Sequence, residues 1–98
     1  MITVKLHYQD KTLIGIESIG HAGFSYKGKD IICAAVSTLM QALLLGLERY
    51  LPSGDLGITI DADVPLMSIV WQKSRHRKLA PLTETIASSL EQIAHENP

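Results

Sequence analysis

The 98-residue chain is shorter than most domains of about 100 to 200 residues, so one domain over residues 1–98 is expected and a multidomain machine is excluded. With 46% hydrophobic and 19% charged residues it can fill a core, which argues against disorder. Nine Lys and Arg against ten Asp and Glu give a formal charge of -1, so no global positive field exists to hold a nucleic-acid backbone, and no direct nucleic-acid partner is expected. A single cysteine, Cys33, excludes an internal disulfide and a multi-cysteine zinc site and fits a reducing compartment. The opening MITVKLHYQD has polar and acidic residues where a secretion signal needs a continuous apolar segment, so a cytoplasmic location is expected.

Residues 2 to 8 alternate apolar and polar side chains and are rich in β-branched types, the pattern of a half-buried strand. After the polar corner Gln9-Asp10-Lys11, residues 12 to 19 return as the second arm of a hairpin, with an imperfect alternation of Leu13, Ile14, Ile16 and Ile19. Residues 20 to 29 hold three glycines and no sustained period, and read as a loop. Asp30 is a good N-cap for a helix from 31 to about 50, which Pro52 and Gly54 terminate. Leu56 to Asp61 alternates again, residues 62 to 65 supply a turn, and Leu66 to Trp71 is a short apolar strand. Apolar residues at 79, 82, 86, 90, 93 and 94 mark a helical face running to His95. The expected fold is α+β, a small β-β-α-β-β-α sandwich whose sheet is covered by two helices.

The stretch Ile31 to Leu47 reaches the lower length limit of a membrane span. Ser37, Thr38 and Gln41 interrupt it, and two amphipathic hairpins need an apolar helix to cover them; burial against the sheet is the better reading, and no membrane partner is expected. At about 100 degrees per residue, Asp30, Cys33, Ser37, Gln41 and Glu48 fall within a sector of roughly 80 degrees, opposite a broad apolar side formed by residues 31, 32, 35, 36, 39, 40, 42, 43, 46 and 47.

With Asp30 as the N-cap, Cys33 is the third helical residue, where unpaired N–H groups and the helix dipole favour a thiolate. Lowering a thiol pKa from about 8.5 to about 6.5 raises the thiolate fraction at pH 7 roughly 25-fold. His21, in the glycine-flanked loop, is the natural base for a Cys-His dyad, and Ser37 lies one turn beyond Cys33 on the same stripe. Each has a plainer reading: Cys33 as a small core residue, His21 as a surface histidine. Lys73, Arg75, His76, Arg77 and Lys78 form a basic cluster between the last strand and last helix, either a solvated loop or a contact for RNA or an acidic partner. A third reading, a redox sensor built on one thiol, has no resolving cysteine in the chain. The scattered histidines have no metal-ligand spacing and the glycines make no phosphate loop, so neither metal nor cofactor is expected.

The segment Gly20-His21-Ala22-Gly23, followed by Asp30-Ile31-Ile32-Cys33-Ala34-Ala35-Val36-Ser37, resembles the signature of the ribosomal-processing cysteine protease family, Prp, in which a Gly-His-Ala loop precedes Asp-x-x-Cys-Ala-Ala-x-Ser at a helix start. The element order and length also agree, although only residues 20 to 37 are specific. The resemblance implies a cysteine endopeptidase with His21 as base and Cys33 as nucleophile, supported by Asp30 and Ser37. It further implies removal of a short N-terminal extension from a bacterial large-subunit ribosomal protein, number twenty-seven, and a homodimeric enzyme; the alternative is a non-catalytic ribosome-associated binding module using the basic segment 73–78. Since that extension ends in an aromatic-rich segment in the family, an apolar cleft beside Cys33 is expected, lined by Phe24, Tyr26 and Leu44, with Gly20 and Gly23 in a loop that orders over bound peptide.

Overall fold

The first hairpin follows from its alternation. In the computed structural model, which describes residues 2–20, 29–61 and 66–97, β1 (Thr3–Gln9) pairs antiparallel with β2 (Thr12–Ile19). Asp10 and Lys11 join them with φ of 51° and 67°, the two left-handed residues of a tight hairpin turn whose twist matches that of the strands. The pairing passes from His7 opposite Gly15 to Tyr8 opposite Leu13, leaving Ile14 as the extra residue of a bulge. This explains the imperfect alternation: the bulge resets the pleat, so Leu13 and Ile16, three apart, both point into the core.

The remaining elements are α1 (Lys29–Tyr50), β3 (Leu56–Asp61), β4 (Leu66–Trp71) and α2 (His76–Glu96). Single turns of 3-10 helix at Ser53–Asp55 and Lys73–Arg75, unforeseen in the sequence, precede β3 and α2. All strand pairs are antiparallel and the sheet order is β1-β2-β4-β3, so the fourth strand lies between the second and third. The α+β reading with element order β-β-α-β-β-α holds, and the expected limits of the second, third and fourth strands coincide with those observed.

Core residues come from one face of the sheet and one stripe of each helix. Leu13 and Ile16 of β2 and Ile69 and Trp71 of β4 meet Val36, Met40, Leu43 and Leu47 of α1 and Leu79, Ile86, Ala87 and Leu90 of α2. Each such side chain contributes about 1.5–3 kcal/mol by leaving water. The Trp71 indole Nε1 donates to the Leu13 carbonyl at 3.1 Å, so its polar atom is satisfied where the ring is buried. The helices approach closely at Gly46, where an added Cβ would stand 2.6 Å from a Leu82 methyl. The opposite sheet face carries Lys5, His7, Glu17 and Thr59 and is left to solvent.

Three expectations are corrected. α1 starts at Lys29, so Asp30 is its second residue and not its N-cap, and Cys33 is the fifth helical residue. Two polar residues at a helix start both suit the first turn, and the sequence alone does not say which one caps it. Helix α2 begins at His76, three residues before its apolar period becomes visible, so His76, Arg77 and Lys78 are helical and not part of a loop. The covered side of α1 is narrower than expected: Ile31 is 74% exposed and Ala42 is exposed, because a stripe four residues deep is enough to fill the space above the sheet. The turn expected at 62–65 lies outside the described residues.

Ile31–Tyr50 is long and apolar enough to cross a membrane, by length and composition. Its fully buried Met40, Leu43 and Leu47 instead pack on the sheet and α2, whose apolar face would lie bare without it.

Candidate active site

Cys33 is half-buried near the start of α1 and is not disulfide-bonded. Four residues later, about 6 Å along the axis and on the same side, comes the exposed Ser37. Ser37 is on the wall of a pocket of about 200 Å³ between α1 and one end of the sheet. Met40, Met67 and Leu66 form its apolar part, and Ser18, Ser37, Gln41 and Asp61 its polar part. The fold explains this meeting. Ser18 opposes Met67 across the β2–β4 pair, Asp61 opposes Leu66 across the β3–β4 pair, and the α1 stripe passes over that end.

A thiol one turn from a mixed apolar and polar pocket offers a nucleophile, a place for one substrate side chain, and hydroxyl and amide groups for a peptide backbone. Among the described residues, no group of three or more His, Cys, Asp or Glu side chains could hold a metal ion.

The sequence-derived candidates distribute unevenly. Cys33 and Ser37 are brought together as expected. His21, Gly23, Phe24 and Tyr26 lie outside the described residues. Gly20, the last described residue before them, has φ of 106°, so the chain leaves β2 through a conformation that L side chains rarely adopt. Leu44 is half-buried against the hydrophobic core and is not among the pocket's walls. The residues that sequence reasoning missed are Ser18, Met40, Asp61, Leu66 and Met67. Strand parity puts Ser18 with Ile16 and Met67 with Ile69 on the helix side, but the insertion of β4 between β2 and β3, which juxtaposes them, leaves no mark on the sequence. Gln41 was on the polar stripe without an assigned role.

Part of the basic cluster meets carboxylates. Lys73 Nζ is 2.9 Å from Asp10 Oδ2, Arg75 Nη2 is 3.0 Å from Asp55 Oδ2, and His76 Nε2 is 3.8 Å from Glu84 Oε1. The first two contacts fasten the entry to α2 onto the β1–β2 turn and the 3-10 turn before β3. Arg77 and Lys78, the rest of the cluster, are exposed on the first turn of α2. Asp10 is held below its ordinary pKa of 3.8, first by the hydrogen bond from Lys73 and then by its charge.

The chain is similar to known proteins in sequence and in fold. The chain is 32% identical over 79 residues to the ribosomal processing cysteine protease Prp of Mycoplasma pneumoniae, a match covering 81% of this chain and 74% of that one. Its fold matches that of the S. aureus ribosomal processing protease Prp in complex with a substrate peptide, with a TM-score of 0.82 and 24% identity over 98% of this chain and 91% of that one. The same S. aureus protease with a covalently linked product peptide gives a TM-score of 0.78 and 25% identity over the same shares. A Streptococcus mutans protein gives a TM-score of 0.83 and 31% identity over 100% of this chain and 87% of that one. The profile of the family described as cysteine protease Prp matches residues 1–98, and the chain, with its thiol near the head of α1 one turn from the Ser37 pocket, belongs to that family of cysteine proteases.

Proposed function

We propose that the chain removes an N-terminal extension from large-subunit ribosomal protein number twenty-seven in the bacterial cytoplasm, with Cys33 as nucleophile and His21 as general base and acid. The observation that carries this reading is the placement of Cys33 one helical turn from the Ser37, Met40 and Met67 pocket, in a chain whose relatives are ribosomal processing proteases. His21 takes the thiol proton, and the Cys33 sulfur attacks the scissile carbonyl carbon. The tetrahedral intermediate collapses as the C–N bond breaks, and the imidazolium gives its proton to the departing amine. Water, deprotonated by the same imidazole, then attacks the thioester, releasing the peptide acid and restoring the thiol. Asp30 and Ser37 support the dyad, and Gly20, Gly23, Phe24 and Tyr26 bind the substrate peptide.

The test is incubation of wild type, Cys33→Ala and His21→Ala with the extended ribosomal protein, read by intact-mass spectrometry. Loss of one discrete N-terminal peptide with wild type alone is expected, with both variants slowed at least about a thousandfold. An uncut substrate with a folded wild type whose thiol still alkylates removes the reading.

The working unit in this proposal is a homodimer. Ile31 and Leu45, 74% and 69% exposed on α1, are an apolar surface suited to a second copy, and sedimentation of wild type against Leu45→Lys measures that association.

A further inference from the structure

The two edges of the sheet are built differently. At one edge, β1 turns Val4 and Leu6 against the core and shows Lys5 and His7 to solvent, the charged pattern that keeps an edge strand from pairing with another chain. The other edge, β3, reads Leu-Gly-Ile-Thr-Ile-Asp and carries no Lys, Arg or Pro. Among the described residues it pairs with β4 alone. Its Ile58 and Ile60 oppose Ile69 and Met67 and therefore share the helix side of the sheet, yet they are 41% and 66% exposed.

An unguarded edge with apolar side chains at positions i and i+2 is the surface an added strand requires: main-chain groups for the ladder, and two contacts for alternate side chains. This edge ends at the active site. Asp61, its last residue, borders the same pocket as Ser37 and Gln41, one turn from Cys33. The six residues of β3 span about 20 Å, enough for a peptide of comparable length lying alongside.

We infer that the substrate peptide binds as an additional strand on the open edge of β3, its alternate side chains resting on Ile58 and Ile60 and its scissile bond delivered to Cys33 at the Asp61 end. The inference rests on the peptidase reading and adds to it where the rest of the substrate lies. Main-chain pairing fixes how far the peptide extends into the site, which selects one bond without demanding a large pocket.

The experiment uses wild-type protein and synthetic peptides spanning the N-terminal extension of the ribosomal protein, each methylated at one successive backbone nitrogen. Only alternate residues of an added strand donate to the ladder, so the expected result is a period-two pattern. Methylation at every second position raises KM roughly three- to tenfold, the equivalent of one lost hydrogen bond, while the positions between are spared. The double variant Ile58→Ser with Ile60→Ser is expected to lose kcat/KM on the unmodified peptide through KM. Cleavage of every peptide with no alternation overturns the inference and leaves the protease intact. A double variant that dissociates a dimer with KM unchanged also overturns it, assigning the edge to a second copy. No cleavage of the unmodified peptide by wild type is instead the failure of the peptidase reading itself.

Discussion

The two helices bury the same spacing of positions and differ in everything else. Helix α1 buries residues 36, 40, 43 and 47, and α2 buries 79, 83, 86 and 90, in each case one stripe over three turns. Outside that stripe α2 is polar, as a helix with only a packing role should be. Outside its stripe α1 carries Ile31 and Leu45 in solvent together with the Cys33, Ser37 and Gln41 row at the pocket. Helix α1 thus shows more apolar surface than the core consumes, and it is also the helix that carries the proposed nucleophile.

The comparison breaks most sharply at equivalent positions. Leu47 and Leu90 hold the last place in each stripe and are buried, so Leu47→Ala and Leu90→Ala are each expected to lower unfolding free energy by about 2–5 kcal/mol in urea titrations. Leu45→Ala, two residues from Leu47 but 69% exposed in the single chain, is expected to stay within about 0.5 kcal/mol at protein concentrations where the chain is monomeric and to cost more only where the proposed dimer forms. A Leu45→Ala loss comparable to Leu47→Ala would mean that this face of α1 is covered in solution.

A smaller effect is expected where the chain leaves β2 for α1. Gly20→Ala forces an L side chain to φ of 106° and should cost about 1–2 kcal/mol. Under the proposed mechanism it should also lower kcat/KM, since it redirects the segment that begins with His21. Retained activity at full stability would show that this turn does not position the base.

The same contrast shows what was legible beforehand. Strands β2, β3 and β4 were readable because Gly20, Pro52 with Gly54, and Pro65 punctuate them. Cys33 and Ser37 were readable as one row because helix geometry is local. The pocket was not. Its walls meet only because β4 passes between β2 and β3, setting Ser18 against Met67, and sequence periodicity fixes which face a residue takes without fixing its cross-strand neighbour. The true start of α2 was hidden for a different reason: His76, Arg77 and Lys78 have no apolar period, and Lys73 and Arg75 find their carboxylates 63 and 20 residues away.

Thr83 sharpens the comparison from the side of α2. It takes the place that Met40 takes in α1, is fully buried, and its Oγ1 has no hydrogen-bond partner among the described residues. A buried hydroxyl without a partner costs about 1–3 kcal/mol. Thr83→Val keeps the shape and removes that cost, so a gain of about 1 kcal/mol is expected, a Tm rise of roughly 4–8 °C for a chain of this size. A fall in Tm would show that the hydroxyl is hydrogen-bonded in solution.

The smallest effect tests how the start of α2 is fastened. The Lys73 ammonium beside Asp10 holds that carboxyl below its ordinary value of 3.8 in the folded chain. Between the folded and unfolded values the unfolded chain binds more protons, so the pair's contribution is present above about pH 4 and fades as pH falls through the folded value. Asp10→Asn tolerates the left-handed turn equally well and removes only the charge. Its Tm is therefore expected to lie slightly below that of wild type at pH 7, with the gap closing under acid. Both partners are well exposed, so salt should narrow the gap at neutral pH as well. A gap unchanged by acid or salt would mean that Asp10 acts through the geometry of the β1–β2 turn, and that α2 is held at its start by Arg75 and Asp55 without help from Lys73.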